Sequence, residues 1–192
     1  MVRANGDMHI GLDLDGVLVD HTTWKQLLAR KFGYELTAAQ TASDAMRRAV
    51  PDEHRRAIQA MLYQDPVYAL SPALMPGAHE LLGAVRSRGI PFTLISRRRD
   101  HDLARLLLEK HGLRPGFFTE ANTVFVSTIA DKADACLRLG ITHYLDDEND
   151  VLAALTSVPH RYLMDPHGTG PSWPWLRVST LPEFLAIIER TR

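Results

Sequence analysis

From Pro76 onward the chain alternates short apolar runs with longer stretches of helical period, joined by brief links. Pro76-Gly77 opens a helix running to about Arg88, with Leu81, Leu82 and Val85 on one face and Gly89 ending it. Pro91 to Ile95 reads as a buried strand ending at Ser96. Asp100 can cap the next helix, which carries Leu103, Leu106 and Leu107 and stops at Gly112. Thr123 to Val126 is a further strand, Ile129 to Leu139 a helix closed by Gly140, and Ile141 to Leu145 a strand entering Asp146-Asp147. A helix near Val151 to Leu155, a strand from His160 to Met164, and a helix from Leu181 with Thr180 and Glu183 as its capping box complete the series. Such β–α repetition with short links demands an α/β fold, a Rossmann-like three-layer core with a parallel sheet covered by helices on both faces.

The upstream part differs. Met8 to Leu12 is a short buried strand, but the stretch from Asp20 to about Met75 reads as helices only: Trp24 to Phe32, Thr37 to Ala49 and Asp52 to Tyr63. Thr37 with Gln40 offers a capping box, and Pro51 separates the second helix from the third. The pattern predicts a core formed by residues 1–19 and 75–192, with residues 20–74 inserted after the first strand as a small helical cap. At 192 residues the chain can hold a core and a modest insertion. Both ends of the insertion return to one sheet edge, a placement that suits a lid covering a site there and excluding water, with a helical excursion that merely pads the fold as the alternative.

Composition excludes several classes of function. A net charge near −1 and an insertion without a dense basic stripe argue against a nucleic-acid polymer as partner. No apolar run approaches the roughly 18 residues that would span a bilayer, and the polar start, Met1 to Asp7, lacks a signal peptide's apolar stretch. The single cysteine, Cys136, shares a helical face with Ala133 and reads as a packed residue rather than a reactive thiol. These features predict a cytoplasmic protein.

The chemistry is carried by acids at strand ends. Asp13-Leu14-Asp15-Gly16-Val17 closes the first apolar run, where a parallel sheet commonly places its ligand. An ordinary acidic turn or a calcium loop is the alternative, although Val17, Leu18 and Val19 give a calcium loop no further oxygen ligands. Two close carboxylates can divide labour, one attacking and the other moving a proton. Ser96 and nearby backbone N–H groups can hold a phosphate oxygen, or simply form a turn. Lys132 near a helix start favours an anion, with a solvated surface lysine as the bland alternative. Asp146 and Asp147 deliver a second acidic strand end, Asp146 as ligand and Asp147 behind it. Carboxylates completed by water and phosphate suit Mg²⁺ better than zinc. Arg97, ahead of Arg98 and Arg99, is a candidate for a second anionic group. His21 can line the pocket mouth, and Trp24, Tyr34, Tyr63 and Tyr68 can stack on a base or pack the insertion's own core.

In this order Asp13-Leu14-Asp15-Gly16-Val17, Ser96, Lys132 and Asp146-Asp147 resemble the four motifs of phosphatases in the haloacid dehalogenase-like (HAD) hydrolase superfamily. The resemblance spans essentially the whole chain. It implies a Mg²⁺-dependent phosphomonoesterase acting on a small phosphorylated substrate through a phosphoaspartate. Asp13 would be nucleophile and metal ligand, Asp15 acid/base and a metal ligand through its backbone carbonyl, and Asp146 a further ligand. Ser96 would hold phosphate and Lys132 would neutralise its charge. Asp15 counts against dehalogenases and phosphonatases, which lack a carboxylate there. The layout is similar to the 5′-nucleotidase branch, including 5′(3′)-deoxyribonucleotidases, and implies a nucleoside monophosphate. An arginine often follows the acidic pair in that branch, whereas Glu148 stands here. A sugar phosphate or phosphoglycolate is the alternative substrate, and a catalytically silent binding protein the alternative class. A receiver domain, which uses similar residues, would place its acidic pair first; here Asp146-Asp147 comes last.

Overall fold

The computed structural model describes residues 8–169 and 174–191. The polar stretch read at residues 1–7 lies outside the described residues, as do residues 170–173 and 192. Six strands form one sheet: β1 (Ile10–Leu12), β4 (Phe92–Ser96), β5 (Thr123–Phe125), β6 (His143–Asp146), β7 (His160–Met164) and β8 (Leu176–Val178). Their spatial order is β5-β4-β1-β6-β7-β8, and every neighbouring pair is parallel. The chain therefore starts the sheet at its centre, fills one side with β4 and β5, then crosses over to place β6 on the other side of β1. That reversal opens a crevice at the carboxyl ends of β1, β4 and β6.

Both faces are covered, as the alternation of strands and helices requires. Ile10, Leu12, Phe92 and Leu94 pack with α5 (Ala78–Ser87), α6 (His101–Lys110) and α9 (Leu181–Arg190), through residues such as Leu82, Leu107 and Phe184. On the other face Ile95, Tyr144 and Leu163 meet Ala135 and Cys136 of α7 (Ile129–Leu139) and Val151 and Leu152 of α8 (Asn149–Ala154). Gly11 leaves room for the Tyr144 ring, because a Cβ there would lie 2.3 Å from a ring carbon. The Tyr144 hydroxyl is satisfied beneath the sheet by donating to the Ile95 carbonyl at 3.0 Å. Cys136 is buried as expected, and burial pushes its thiol up to about 12.

The helices α7 and the strand β7 coincide with the sequence expectation, and the α6 and α9 caps form through Asp100 and Thr180. Residues between β2 (Val19–Asp20) and β3 (Ala73–Leu74) fold as α1 (Thr22–Arg30), α2 (Ser43–Ala49), α3 (Asp52–Gln64) and α4 (Pro66–Ala69). Leu28, Met46, Ile58 and Leu62 give this insertion its own apolar cluster. Two features depart from expectation. β2 and β3 pair as a short antiparallel ribbon, Val19 with Leu74 and Asp20 with Ala73, which closes the ends of the insertion. The single helix expected from Thr37 to Ala49 is broken at Ala42, whose backbone is extended at φ −56° and ψ 141°. The Thr37–Gln40 box forms but closes only a tight turn at Ala39–Thr41, and the Thr41 hydroxyl donates to the Ala38 carbonyl at 2.7 Å. The break re-aims α2 toward the end of β6.

Candidate active site

Register brings the acids together. Leu12 stands beside Leu145, so Asp13 and Asp146, one residue further on, emerge side by side. The Asp13 amide donates to the Leu145 carbonyl at 3.1 Å, fixing that level. Gly16 turns the chain away at φ +84°, and a Cβ on it would lie 2.6 Å from the Asp147 carboxyl carbon. The loop after β1 can thus rest directly on the loop after β6.

Lys132 joins the two strand ends. It sits in the first turn of α7, whose start is fixed by reciprocal hydrogen bonds between Thr128 and Asp131. Its ammonium donates to Asp13 Oδ1 at 2.5 Å and to Asp146 Oδ2 at 2.8 Å. Lys132 and Asp146 are each only 1 % exposed, so they form the floor beneath Asp13 rather than a surface pair. Burial alone would discharge this lysine, yet the charges of Asp13 and Asp146 hold it protonated, well above the usual range. Burial pushes Asp13 and Asp146 up, Lys132 opposing in each case; Asp146, Asp15 and Asp147 add to the rise at Asp13, and Glu148 to that at Asp146. Asp147 is pushed to about 7 by burial and Glu148, while Lys25 and a hydrogen bond from Ser43 pull the other way.

Asp15 has a different environment, one that sequence reading missed. Arg98 donates through Nε to both Asp15 oxygens, at 3.1 and 3.0 Å, and through Nη2 to Oδ1 at 2.8 Å. His21 Nε2 lies 2.6 Å from the same Oδ1. Burial favours the neutral acid, but the Arg98 charge and the hydrogen bonds from His21 and Arg98 outweigh it and hold Asp15 well below the usual carboxylate range. Tyr63 of α3 covers this grip, edge-on to His21 at 5.5 Å and beneath Arg98 at 5.1 Å. Among the three consecutive arginines, sequence reading favoured Arg97, which lines the cavity and pairs with Glu148 at 2.5 Å, while Arg98 is the one that holds Asp15. Parity along the extended chain held the missed signal: Ser96 and Arg98, two apart, are both buried at the strand end. Ser96 Oγ accepts from the Arg98 amide at 3.2 Å.

The insertion reaches the acidic loop through α2. Ser43 donates to Asp147 at 2.8 Å, and Arg47 binds Glu148 at 2.7 Å and Asp150 at 2.6 Å. Asn149 donates to Asp44 at 2.6 Å. Between insertion and sheet lies a cavity of about 660 Å³, lined by Asp13, Asp15, Ser96 and Arg97 below and by residues of α2 and α3 above. Of the four aromatic candidates Tyr63 lines it, whereas Trp24, Tyr34 and Tyr68 pack against the insertion's apolar cluster.

The donor set fits a hard divalent cation. Asp13 and Asp146 share one buried ammonium, with Asp15 and Asp147 close enough to add to the charge at Asp13, leaving an excess of negative charge that burial makes costly. Among the described residues no three acidic, His or Cys side chains form a ready cage. Two carboxylates completed by backbone oxygen, water and substrate match Mg²⁺, which keeps several waters.

No protein-family model matches the sequence, and no curated protein matches it significantly. Solved structures do match across its length. A HAD family hydrolase from Deinococcus radiodurans R1, solved with bound phosphate and sodium, superposes with a TM-score of 0.67 at 18% identity, covering 97% of each chain. A putative beta-phosphoglucomutase from Thermotoga maritima gives 0.64 at 17% identity, covering 96% of this chain and 100% of its own. A predicted phosphatase from Clostridium acetobutylicum gives 0.62 at 16% identity, with 97% and 100% covered. The parallel sheet order, the helical insertion after the first strand and these full-length superpositions together give the chain the fold of the haloacid dehalogenase-like hydrolases.

Proposed function

We propose that the protein is a Mg²⁺-dependent phosphomonoesterase that acts through an aspartyl-phosphate on Asp13. The observation that carries this reading is the Lys132 bridge, which fixes Asp13 and Asp146 side by side at the foot of a cavity. Residues 20–74 act as a cap over a core of residues 1–19 and 75–192. Asp13, Asp146 and the Asp15 backbone carbonyl would hold the cation, which supplies charge neutralisation between an anionic ester and an anionic nucleophile. Asp13 attacks phosphorus, Lys132 offsets charge gathering on the equatorial oxygens, and Ser96 holds one of them. Asp147 lines the cavity and, tied to the cap by Ser43, would support the cation site rather than bind the cation.

Asp15 moves the proton. In its present grip it is ionised, the form needed to take a proton from the water that cleaves the aspartyl-phosphate. To protonate a departing alcohol it must first carry a proton and loosen from Arg98. Protonation weakens the charge-assisted bonds that Arg98 makes, so the two events favour each other.

The substrate is a small phosphate ester, and the lone buried Cys136 suits a reducing cytoplasm. A nucleoside monophosphate is the class favoured by the layout, with Tyr63 as the aromatic residue available in the cavity. Phosphate release from para-nitrophenyl phosphate with Mg²⁺ tests the activity, and the Asp13→Asn variant should release none while unfolding at a temperature close to that of the parent. Hydrolysis retained in that variant would remove Asp13 as nucleophile. A panel of nucleoside monophosphates and sugar phosphates then tests the class; a flat response across the nucleotides would remove the nucleotidase reading.

A further inference from the structure

One phosphate and the catalytic acids do not use all the cations around the cavity. Arg98 is committed to Asp15, and Arg97 and Arg47 to Glu148. Lys25 donates its ammonium to the Thr41 carbonyl at 3.0 Å, and Arg55, Arg56 and Arg99 remain on the cavity wall. Arg55 and Arg56 share a single carboxylate, Asp52, at 2.6 and 3.7 Å. Asp52 is 68% exposed whereas the Arg55 side chain is only 18% exposed, and Arg55 Nε is buried with no partner among the described residues. Arg99 meets no acid at ion-pair distance among the described residues; its neighbour Asp100 turns its carboxylate to the Leu103 amide at 2.9 Å.

Arg55 and Arg56 are also placed apart from the catalytic end, whereas Arg99 follows Arg98 and neighbours Gln64 at the far end of α3. Arg55, Gln59 and Tyr63 recur every fourth residue and share a face of α3 that lines the cavity. Tyr63 touches His21 and Arg98 at the Asp15 end. Arg55 lies two turns away, about 12 Å along the helix axis. We propose that Arg55, with Arg56, binds a second anionic group, so that the substrate is a phosphate ester whose leaving group ends in a carboxylate or another phosphate. The axial separation sets its span at about that of a six-carbon chain rather than a two- or three-carbon one. Gln59, between the two ends, faces the intervening hydroxyls. This inference rests on the phosphomonoesterase reading for the first phosphate, and it puts a doubly anionic ester in the place of a nucleoside monophosphate, whose leaving group carries no anion.

Matched substrates test it. With Mg²⁺, kcat/KM is measured for sorbitol 6-phosphate against 6-phosphogluconate and for fructose 6-phosphate against fructose 1,6-bisphosphate, with glycerol 3-phosphate against 3-phosphoglycerate as a short pair. The doubly anionic member of each long pair should be preferred by at least about tenfold, mainly through KM, and the short pair should show a smaller preference. Arg55→Gln and Arg56→Gln should each reduce the long-pair preference several-fold; the exposed Arg56 carries the test if the Arg55 variant does not fold. No preference in either long pair, or a preference unchanged in both variants, overturns the subsite. Preference absent while para-nitrophenyl phosphate is hydrolysed overturns the subsite alone. If no ester is hydrolysed, the phosphatase reading fails and calorimetric binding decides the subsite. Tighter binding of 6-phosphogluconate than of sorbitol 6-phosphate upholds it, and equal affinity overturns it.

Discussion

Replacing Lys132 by Met keeps an unbranched side chain one atom shorter and removes its charge, so the result reports electrostatics far more than a cavity. The ammonium lies 2.5 and 2.8 Å from carboxylates of Asp13 and Asp146, with lysine and Asp146 almost fully buried. At an effective dielectric of about 20, each contact has a Coulomb attraction of roughly 6–7 kcal/mol, most of which offsets the cost of burying the charges. Removing one partner leaves the others uncompensated, which typically costs about 3–5 kcal/mol. For a chain of this size each kcal/mol moves Tm by about 2–4 °C, so Lys132→Met should melt about 6–20 °C below the parent in metal-free buffer at pH 7.5. At pH 5 the deficit should shrink, because Asp13 and Asp146 already hold protons more tightly than ordinary carboxylates and can neutralise themselves. Thermal unfolding followed by circular dichroism at the two pH values reads both effects. A variant that melts within about 2 °C of the parent at pH 7.5 would refute the reasoning, since the bridge would then contribute nothing net.

Asp15→Asn should slow turnover of an ester with a poor leaving group by about 10²–10⁴-fold, and stopped-time phosphate assays giving near-parental rates would exclude the proton-transfer role. Asp147, with its carboxyl raised to about 7, keeps a proton between about pH 4 and 7 that the unfolded chain has lost, so stability falls as pH rises through that window. Asp147→Asn should therefore gain Tm over the parent at pH 8 and gain less at pH 5 in metal-free buffer; an equal difference at both values would contradict the assignment. Arg47→Ala should cost only about 1 kcal/mol, because its ion pairs with Glu148 and Asp150 are partly exposed. Its larger effect should be a raised KM as α2 loses hold of the acidic loop, and an unchanged KM would deny α2 that duty.

The layered core was legible because each element is specified locally. Apolar period, capping residues and terminating glycines placed α7 and β7 to the residue, and a strand end necessarily presents its next residues at the sheet edge. Asp13, Ser96, Lys132 and Asp146 accordingly come together as their positions in the sequence suggested. The hold on Asp15 was not legible in the same way. Choosing among Arg97, Arg98 and Arg99 requires the path of the turn after β4, which sends Arg98 inward and leaves Arg97 for Glu148. His21 was read as a mouth residue, yet it is 2% exposed because Tyr63 from α3 closes over it. The break at Ala42 carries no helix-breaking residue of its own; the Thr37–Gln40 box and Thr41 stop the turn locally, and contacts of Ser43 and Arg47 with a loop one hundred residues away reward the new direction.

The two-strand ribbon of β2 and β3 has a consequence for how such a chain can change over generations. Val19 pairs with Leu74 and Asp20 with Ala73, so the insertion leaves and re-enters at adjacent points. A tight hairpin turn could bridge the same gap, and so could a different helical segment of any length that ends on this spacing. Recombination at this joint exchanges the wall that carries Arg55 and Tyr63 while leaving the register of Asp13 and Asp146 untouched. On the function proposed above, such an exchange would alter selectivity and keep the chemistry only where the new segment replaces Tyr63 over the His21–Arg98 grip on Asp15.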